Sequence, residues 1–306
     1  MLLAVAIPSF TGYSAPERNA GTMNTRGWEI KLGWSDSVGD FSYGISVNLS
    51  DYRSVMGNLG GKQVFNSNGT IITEGEEYCS WYGYRSNGLF QTEEEVSSSP
   101  LLVASTKPGD VKYMDVSGPD GTPDGIINDT YDRVILGSSL PHYIYGGSIN
   151  LGWKGISFSM LFNGVGHQLS NLTEDMIRPF QGQWLSAPSV IRNSDGSRNY
   201  WSRYNTEEQN LKVKYPRLSE SGARYNNYKM SDYWLVNSAY LRIKNINLGY
   251  TFPKSMVSKV NLKGLRVYFN VDDPFCFDNY LKGWDPEAGA STYIARTWTF
   301  GLDLKF

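Results

Sequence analysis

Trp298-Thr-Phe300-Gly-Leu302-Asp-Leu304-Lys-Phe306 closes the chain with a large apolar residue at every second position and small or polar residues between. Side chains alternate between the two faces of a β-strand, so this stretch has one apolar face and one wet face. The pattern recurs at Phe41-Ser-Tyr43-Gly-Ile45-Ser-Val47-Asn-Leu49. It recurs again at Tyr143-Ile-Tyr145-Gly-Gly147-Ser-Ile149-Asn-Leu151-Gly-Trp153 and at Leu265-Arg-Val267-Tyr-Phe269-Asn-Val271, with no helical stretch between copies. Long alternating strands, joined by short turns or long polar loops, are the sequence form of a transmembrane β-barrel.

Working outward, alternation predicts strands over 27–35, 40–50, 142–153, 156–164, 238–251, 264–272 and 294–306. Asp36-Ser-Val-Gly39 and Lys154-Gly155 read as tight hairpin turns. Met1-Leu-Leu-Ala-Val-Ala-Ile-Pro8 lacks the basic start of a signal peptide and is broken early by Pro8. It reads as the tail of one more strand, giving about eight in all. Polar stretches at 51–139, 165–230 and 273–292 lie between the hairpins. Short and long connections therefore alternate, as in bacterial barrels with short periplasmic turns and long extracellular loops. The long stretches are expected outside, and the turns near 36–39, 154–155 and 253–263 in the periplasm. A soluble sandwich has no reason to sort its loops by length onto opposite ends.

Composition fits this reading. The chain has 306 residues, 40% hydrophobic, with a mean hydropathy of −0.39 and no apolar run long enough for a transmembrane helix. Half of a barrel's strand residues face a polar lumen, so low mean hydropathy does not count against it. Aromatics make up 14%, led by 21 Tyr, which suits rings placed at membrane–water interfaces. An aromatic-rich soluble carbohydrate-binding β-protein is the alternative on composition alone. The net charge of −2 offers no basic stripe for nucleic acid. Cys79 and Cys276 could pair in an oxidising compartment, but two lone cysteines so far apart in sequence read more readily as free thiols. With only His142 and His167 present, a His-rich metal site is ruled out.

Three groups of residues invite a functional reading. Asp115, Ser117, Asp124 and Asp129, with Asp120 and Asp132 in reserve, crowd oxygen donors into one Gly-rich segment. Asp124-Gly-Ile-Ile127 resembles the bend of a Ca²⁺ loop, although Gly118-Pro-Asp-Gly-Thr-Pro123 breaks the spacing. An Asx-turn-rich surface loop explains the same residues. Tyr78, Trp81, Tyr82 and Tyr84 form one aromatic cluster. Trp184, Tyr200, Trp201 and Tyr204 form another, beside Arg192, Arg198 and Arg203. Trp81, Tyr84, Trp184 and Trp201 are the candidate ligand platforms, since apolar ring faces stack on sugars while rim donors take hydroxyls; packing of loop against loop is the plainer role. No nucleophile, zinc-protease or phosphate-loop motif occurs. Adjacent Glu174 and Asp175 do not make a glycosidase pair, so no enzyme is expected.

Longer motifs carry a family resemblance. Asn19-Ala-Gly-Thr-Met-Asn24-Thr-Arg-Gly27-Trp-Glu29 resembles a strand start of TonB-dependent outer-membrane receptors. Pro108-Gly-Asp110-Val-Lys-Tyr113-Met-Asp115-Val, Asp124-Gly-Ile-Ile127 and Asp132-Arg-Val-Ile-Leu-Gly137 look like the SusC/RagA branch found in Bacteroidetes. Ser238-Ala-Tyr240-Leu-Arg242-Ile-Lys-Asn245-Ile-Asn-Leu-Gly249-Tyr-Thr-Phe-Pro253 and Arg296-Thr-Trp-Thr-Phe-Gly301 do so too. The resemblance implies an all-β, antiparallel barrel of about 22 strands with a plug in its lumen, of which this chain is the C-terminal part. The plug domain and the TonB box have no counterpart in the sequence. It further implies TonB-dependent import of glycan or peptide fragments across the outer membrane and a SusD-like surface lipoprotein over the mouth. TonB–ExbB–ExbD would be contacted through the part not present here, and the barrel assembly machinery through the last strand. A non-transporting barrel or adhesin is the alternative within the same fold. The chain alone is expected to form an open curved sheet and not to transport.

Overall fold

The computed structural model describes residues 2–4, 17–19, 21–179, 191–193, 195–219, 224–289 and 292–306. Seven long strands form one antiparallel sheet in chain order. They are β1 (Met23–Val38), β2 (Phe41–Met56), β3 (His142–Trp153), β4 (Ile156–His167), β5 (Tyr240–Thr251), β6 (Gly264–Asp278) and β7 (Thr297–Lys305). The sheet is open: among the described residues, β1 and β7 each pair on one side only. Of the segment read as an eighth strand, Leu2–Ala4 pairs with Glu17–Asn19 in a separate two-stranded sheet, and the rest lies outside the described residues.

All seven predicted strands are present, and several run further than alternation indicated. β1 and β2 continue in register to Met23 and Met56, through polar residues without an apolar rhythm. There the ladder and cross-strand pairs such as Thr25 Oγ1 with Ser54 Oγ, 2.8 Å apart, carry the pairing. The first turn correspondingly moves from 36–39 to Gly39-Asp40, with Gly39 at φ 60°. Lys154 and Gly155 both take positive φ, the backbone that matches the twist of a two-residue hairpin.

Register explains the two faces. Trp34, Ile45, Ile149, Met160, Ile246, Val271 and Trp298 lie in one row across all seven strands. The next row is Ser35, Gly44, Asn150, Ser159, Asn247, Asn270 and Thr299. Period two thus sums, strand by strand, into one continuous apolar belt and one continuous polar wall. Phe269 packs across the last ladder against Phe300 and Trp298, ring centroids 4.7 and 5.7 Å apart. Each such pair is worth about 0.2–1 kcal/mol over alanine. No helix among the described residues is long and apolar enough to cross a membrane. Strands of 9 to 16 residues reach the length that a tilted transmembrane strand needs.

The meander places connections 57–141, 168–239 and 279–296 at one end of the sheet and 39–40, 154–155 and 252–263 at the other. The long connections are not plain loops. Val64–Phe65, Thr70–Ile72, Ser80–Tyr84 and Arg133–Ser138 form a four-stranded sheet. Ser86–Leu89 pairs with Val111–Tyr113, and Thr92 caps a short helix over Glu93–Ser98. One core holds Tyr84, Leu89, Val111, Tyr113 and Ile127; another holds Leu172, Met176, Ile177, Ile191, Tyr215 and Trp234.

Candidate functional site

The polar wall and the loop modules above it are the surfaces able to meet a solute. On the wall, Asn245 Nδ2 donates to Asn270 Oδ1 at 2.8 Å and to Asp272 Oδ1 at 2.7 Å. Asn270 Nδ2 donates to Asp272 Oδ2 at 3.1 Å, and Asn247 Nδ2 reaches Asn270 Oδ1 at 3.3 Å. This ladder of amides, anchored on the Asp272 carboxylate, keeps the wall polar and aligned. Gly301 is part of the same wall because the Tyr268 ring lies over it: a Cβ there would come within 2.0 Å of the ring.

At the loop end a bulge changes what the wall displays. Asp273 and Pro274 oppose the single residue Lys244, and Asp273 takes φ 49°. Alternation counted straight down from Leu248 through Ile246 would put Arg242 on the apolar belt. The bulge shifts the parity, so Ile243 and Leu241 join the belt and Arg242 turns to the polar side, in register with Asn163 and Cys276. Arg242 is 3% exposed there. Its Nη2 contacts both Asp285 oxygens at 2.7 and 2.6 Å, and its Nε lies 3.2 Å from Glu287. Lys244 bridges Asp273 and Glu287 at 3.4 and 3.2 Å. Asp285 also accepts the backbone N–H groups of Glu287 and Ala288. The cluster fixes the 279–289 segment against the wall. Burial pushes the Asp285 carboxyl up, but hydrogen bonds from Arg242 and those two amides hold it below the usual aspartate range. The sequence reading missed this group, because its members are some 40 residues apart and the bulge hides the facing of Arg242.

The two larger connections share a second hub. Asp110, fully buried, accepts from Arg217 Nε at 2.7 Å, Arg217 Nη2 at 3.0 Å and Asn227 Nδ2 at 2.9 Å. Val111 N donates to Asn227 Oδ1, Asn226 Nδ2 donates to Val111 O, and Tyr113 Oη donates to Asn226 O. Ser86 N donates to Asp232 Oδ1 at 2.8 Å.

The aromatic candidates stand within these modules. Trp81 donates its indole N–H to Leu169 O at 2.8 Å. Tyr84 is buried and donates to Asp129; its hydroxyl pKa is raised, first by burial and then by that carboxylate. Trp201 donates to Gln91 Oε1 at 3.2 Å and covers Gly109, where a Cβ would meet its ring at 2.4 Å. Trp184 lies outside the described residues, as do the side chains of Glu174 and Asp175. The structure thus joins Trp81, Tyr84 and Trp201 to the packing between connections, while Tyr204 of the same sequence cluster stays exposed.

In the acidic segment Asp115, Asp124 and Asp132 cap backbone, while Asp129 takes the Tyr84 hydroxyl. Asp115 Oδ2 accepts from Gly125 N at 2.6 Å and Asp124 Oδ1 from Ile126 N at 2.9 Å. Asp132, fully buried, accepts from Val116, Ser117 and Asn128 N–H groups. Ser117 Oγ approaches Gly118 O at 3.5 Å, and Asp120 is exposed. Asp115 Oδ1 is buried with no hydrogen-bond partner. Among the described residues no three His, Cys, Asp or Glu side chains are grouped to hold a metal ion.

No protein-family model matches the chain. TonB-dependent receptor P3 of Formosa agariphila is 26% identical over an alignment of 335 residues, covering all of this chain and 31% of the receptor. TonB-dependent receptor P39 of the same organism is 28% identical, covering 94% of this chain and 30% of the receptor. TonB-dependent receptor SusC of Bacteroides thetaiotaomicron is 26% identical, covering all of this chain and 29% of SusC. This chain therefore spans about a third of the length of these relatives. Among solved structures, the RagAB peptide importer in its open-open state superposes with a TM-score of 0.71 at 20% identity, covering all of this chain and 31% of the importer chain. The RagAB peptide transporter does so at 0.71 and 21%. At that identity the superposition speaks for the fold, and the sequence matches speak for kinship. In sequence the chain is similar to about a third of the length of TonB-dependent receptors, SusC among them, and in fold it matches the TonB-dependent receptor barrel as seen in RagAB.

Proposed function

We propose that this chain is part of an outer-membrane receptor that imports glycan or peptide fragments with energy delivered through TonB. The observation that carries the reading is the register: one apolar belt and one amide-lined polar wall across seven neighbouring strands. A lipid-facing exterior and an aqueous interior require this arrangement. The 279–289 segment and the interlocked connections form the solute-facing rim, and a SusD-like lipoprotein would cap it. Contact with TonB–ExbB–ExbD and with the barrel assembly machinery is proposed for the whole receptor. The domain assignment is likewise a proposal: 1–306 is C-terminal barrel, and a plug belongs to the rest of the receptor. Catalysis is no part of it, in keeping with relatives that are receptors. The test is uptake of labelled oligosaccharides and peptides by cells carrying the receptor that contains this chain, with and without TonB. Uptake lost on removing TonB is the expected result. A receptor that folds in the outer membrane but takes up neither class in either background would end the import reading.

A second reading concerns residues 115–132. The buried, unpartnered Oδ1 of Asp115 supports calcium uptake through Asp115, Ser117, Asp124 and Asp129, with Asp120 and Asp132 behind them. Calcium would have to draw together Asp115 and Asp124, which now cap separate amides, and Asp129, which now takes the Tyr84 hydroxyl. Calorimetry on the receptor is expected to give heat with wild type and much less with Asp124→Ala. No heat at millimolar Ca²⁺, with the loop shown to be ordered, ends this reading.

A further inference from the structure

Within the 168–239 connection a cavity of about 430 Å³ opens beside the helix Glu207–Lys212. Thr206 caps that helix and receives Gln209 in return, which sets Gln209 and Lys212 three residues apart on one face. The turn before the helix contributes Tyr204 and Asn205, and the 191–199 hairpin contributes Arg198. Among the described lining residues the apolar members are Tyr204 and Val213.

The polar groups of this cavity are already half assigned, and the unassigned halves point to a ligand. Asn205 spends its amide N–H groups on Tyr200 O and Asn210 Oδ1, leaving its carbonyl as an acceptor. Gln209 spends its carbonyl on Thr206 N, leaving its amide N–H groups as donors. Tyr204 is 73% exposed, with the Arg203 guanidinium 5.0 Å from its ring centroid and bonded to its hydroxyl. Arg198 has no ion-pair partner among the described residues. Among the described residues Lys212 pairs with exposed Glu208, a contact of small value in water. Residues 191–214 carry five Lys or Arg against three Asp or Glu, in a chain whose net charge is −2.

An exposed ring that a sugar can stack on, one amide acceptor, one amide donor and two cations make a specific combination. We propose that this cavity is a surface subsite for an acidic oligosaccharide. A pyranose ring stacks on Tyr204, its hydroxyls pair with Asn205 and Gln209, and its carboxylate or sulfate meets Arg198 and Lys212. A peptide would call for apolar side-chain pockets or a free strand edge, and the lining offers neither. The inference rests on the glycan arm of the import reading and narrows it to anionic fragments.

The test uses the receptor that contains this chain, purified in detergent, and three probes of similar size: an oligogalacturonate, a sulfated galactan fragment and neutral maltotetraose. Calorimetry is expected to show binding of an acidic probe, weakened by added salt, and none of the neutral one. The acidic probe that binds tells carboxylate from sulfate. Arg198→Ala and Tyr204→Ala should each weaken binding by about tenfold or more, while Arg198→Lys keeps part of it. Leu211→Ala, exposed on the helix but outside the cavity, should leave it unchanged. Heat-modifiable migration shows that each variant keeps its barrel. Failure of both acidic probes to bind, or binding indifferent to Arg198 and Tyr204, overturns the proposal. Uptake of neutral fragments with no acidic binding would sink the subsite alone. Binding that depends on Arg198 without any TonB-driven uptake would keep the subsite and sink the import reading.

Discussion

Leu248→Arg, in the receptor that contains this chain, should lower barrel stability by about 2–4 kcal/mol, and Asn247→Arg beside it by far less. The two residues are neighbours in β5 and differ only in face. Leu248 stands in the belt with Phe158 and Phe269, while Asn247 stands on the wall with Ser159 and Asn270. A guanidinium on the belt must drag water into the bilayer or bend toward the interface. On the wall it remains in water and displaces one long amide contact of 3.3 Å. Urea-dependent folding into lipid vesicles measures both. Equal losses on the two faces would mean that the belt does not meet lipid.

Arg242→Met is expected to cost about 3–5 kcal/mol, toward the lower end because Asp285 and Glu287 keep some exposure. The substitution keeps an unbranched stem without the guanidinium and leaves Asp273, Asp285 and Glu287 facing one another around Lys244 alone. The readout is release of the 279–289 segment, seen as proteolytic cutting there while the barrel stays intact. Acid should act on the same contact. The folded-state pKa of Asp285 is depressed, so its stabilising contribution is fully present above the ordinary aspartate value near ~3.9 and fades as pH falls through the lower folded value. Cutting should therefore be flat between neutral pH and about pH 5 and rise only in stronger acid. Loosening of the segment at mildly alkaline pH would contradict this account of Asp285.

Much of the barrel wall is legible in the sequence, because alternation in Phe41–Leu49 or Trp298–Phe306 is a local property that register can only confirm. The bulge at Asp273-Pro274 was not readable in that way. It is defined by what lies opposite, and it reverses the facing of the β5 residues beyond Lys244, Arg242 included. The connections were read as polar loops because their cores are assembled from short segments far apart in sequence, such as Val111 with Asn227. Each segment is too short to show a period of its own. Ring-rich segments such as Trp81–Tyr84 look alike in sequence whether they meet a ligand or fill a module; the fold adds what these rings touch, Leu169 O for Trp81 and a buried core for Tyr84.

The hub around Asp110 also bears on how such a wall is put into a membrane. Arg217 and Asn227 reach Asp110 from more than 100 residues away, across the β3–β4 hairpin. Neither of the two large connections can finish its interior until the other has been delivered to the same side of the bilayer. While the first waits, Asp110 and the neighbouring backbone of Val111 must stay hydrated. Membrane passage and completion of the rim are thereby separated in time. The hairpin between them, with its two-residue turn at Lys154-Gly155, stands in the chain between the two sets of polar partners.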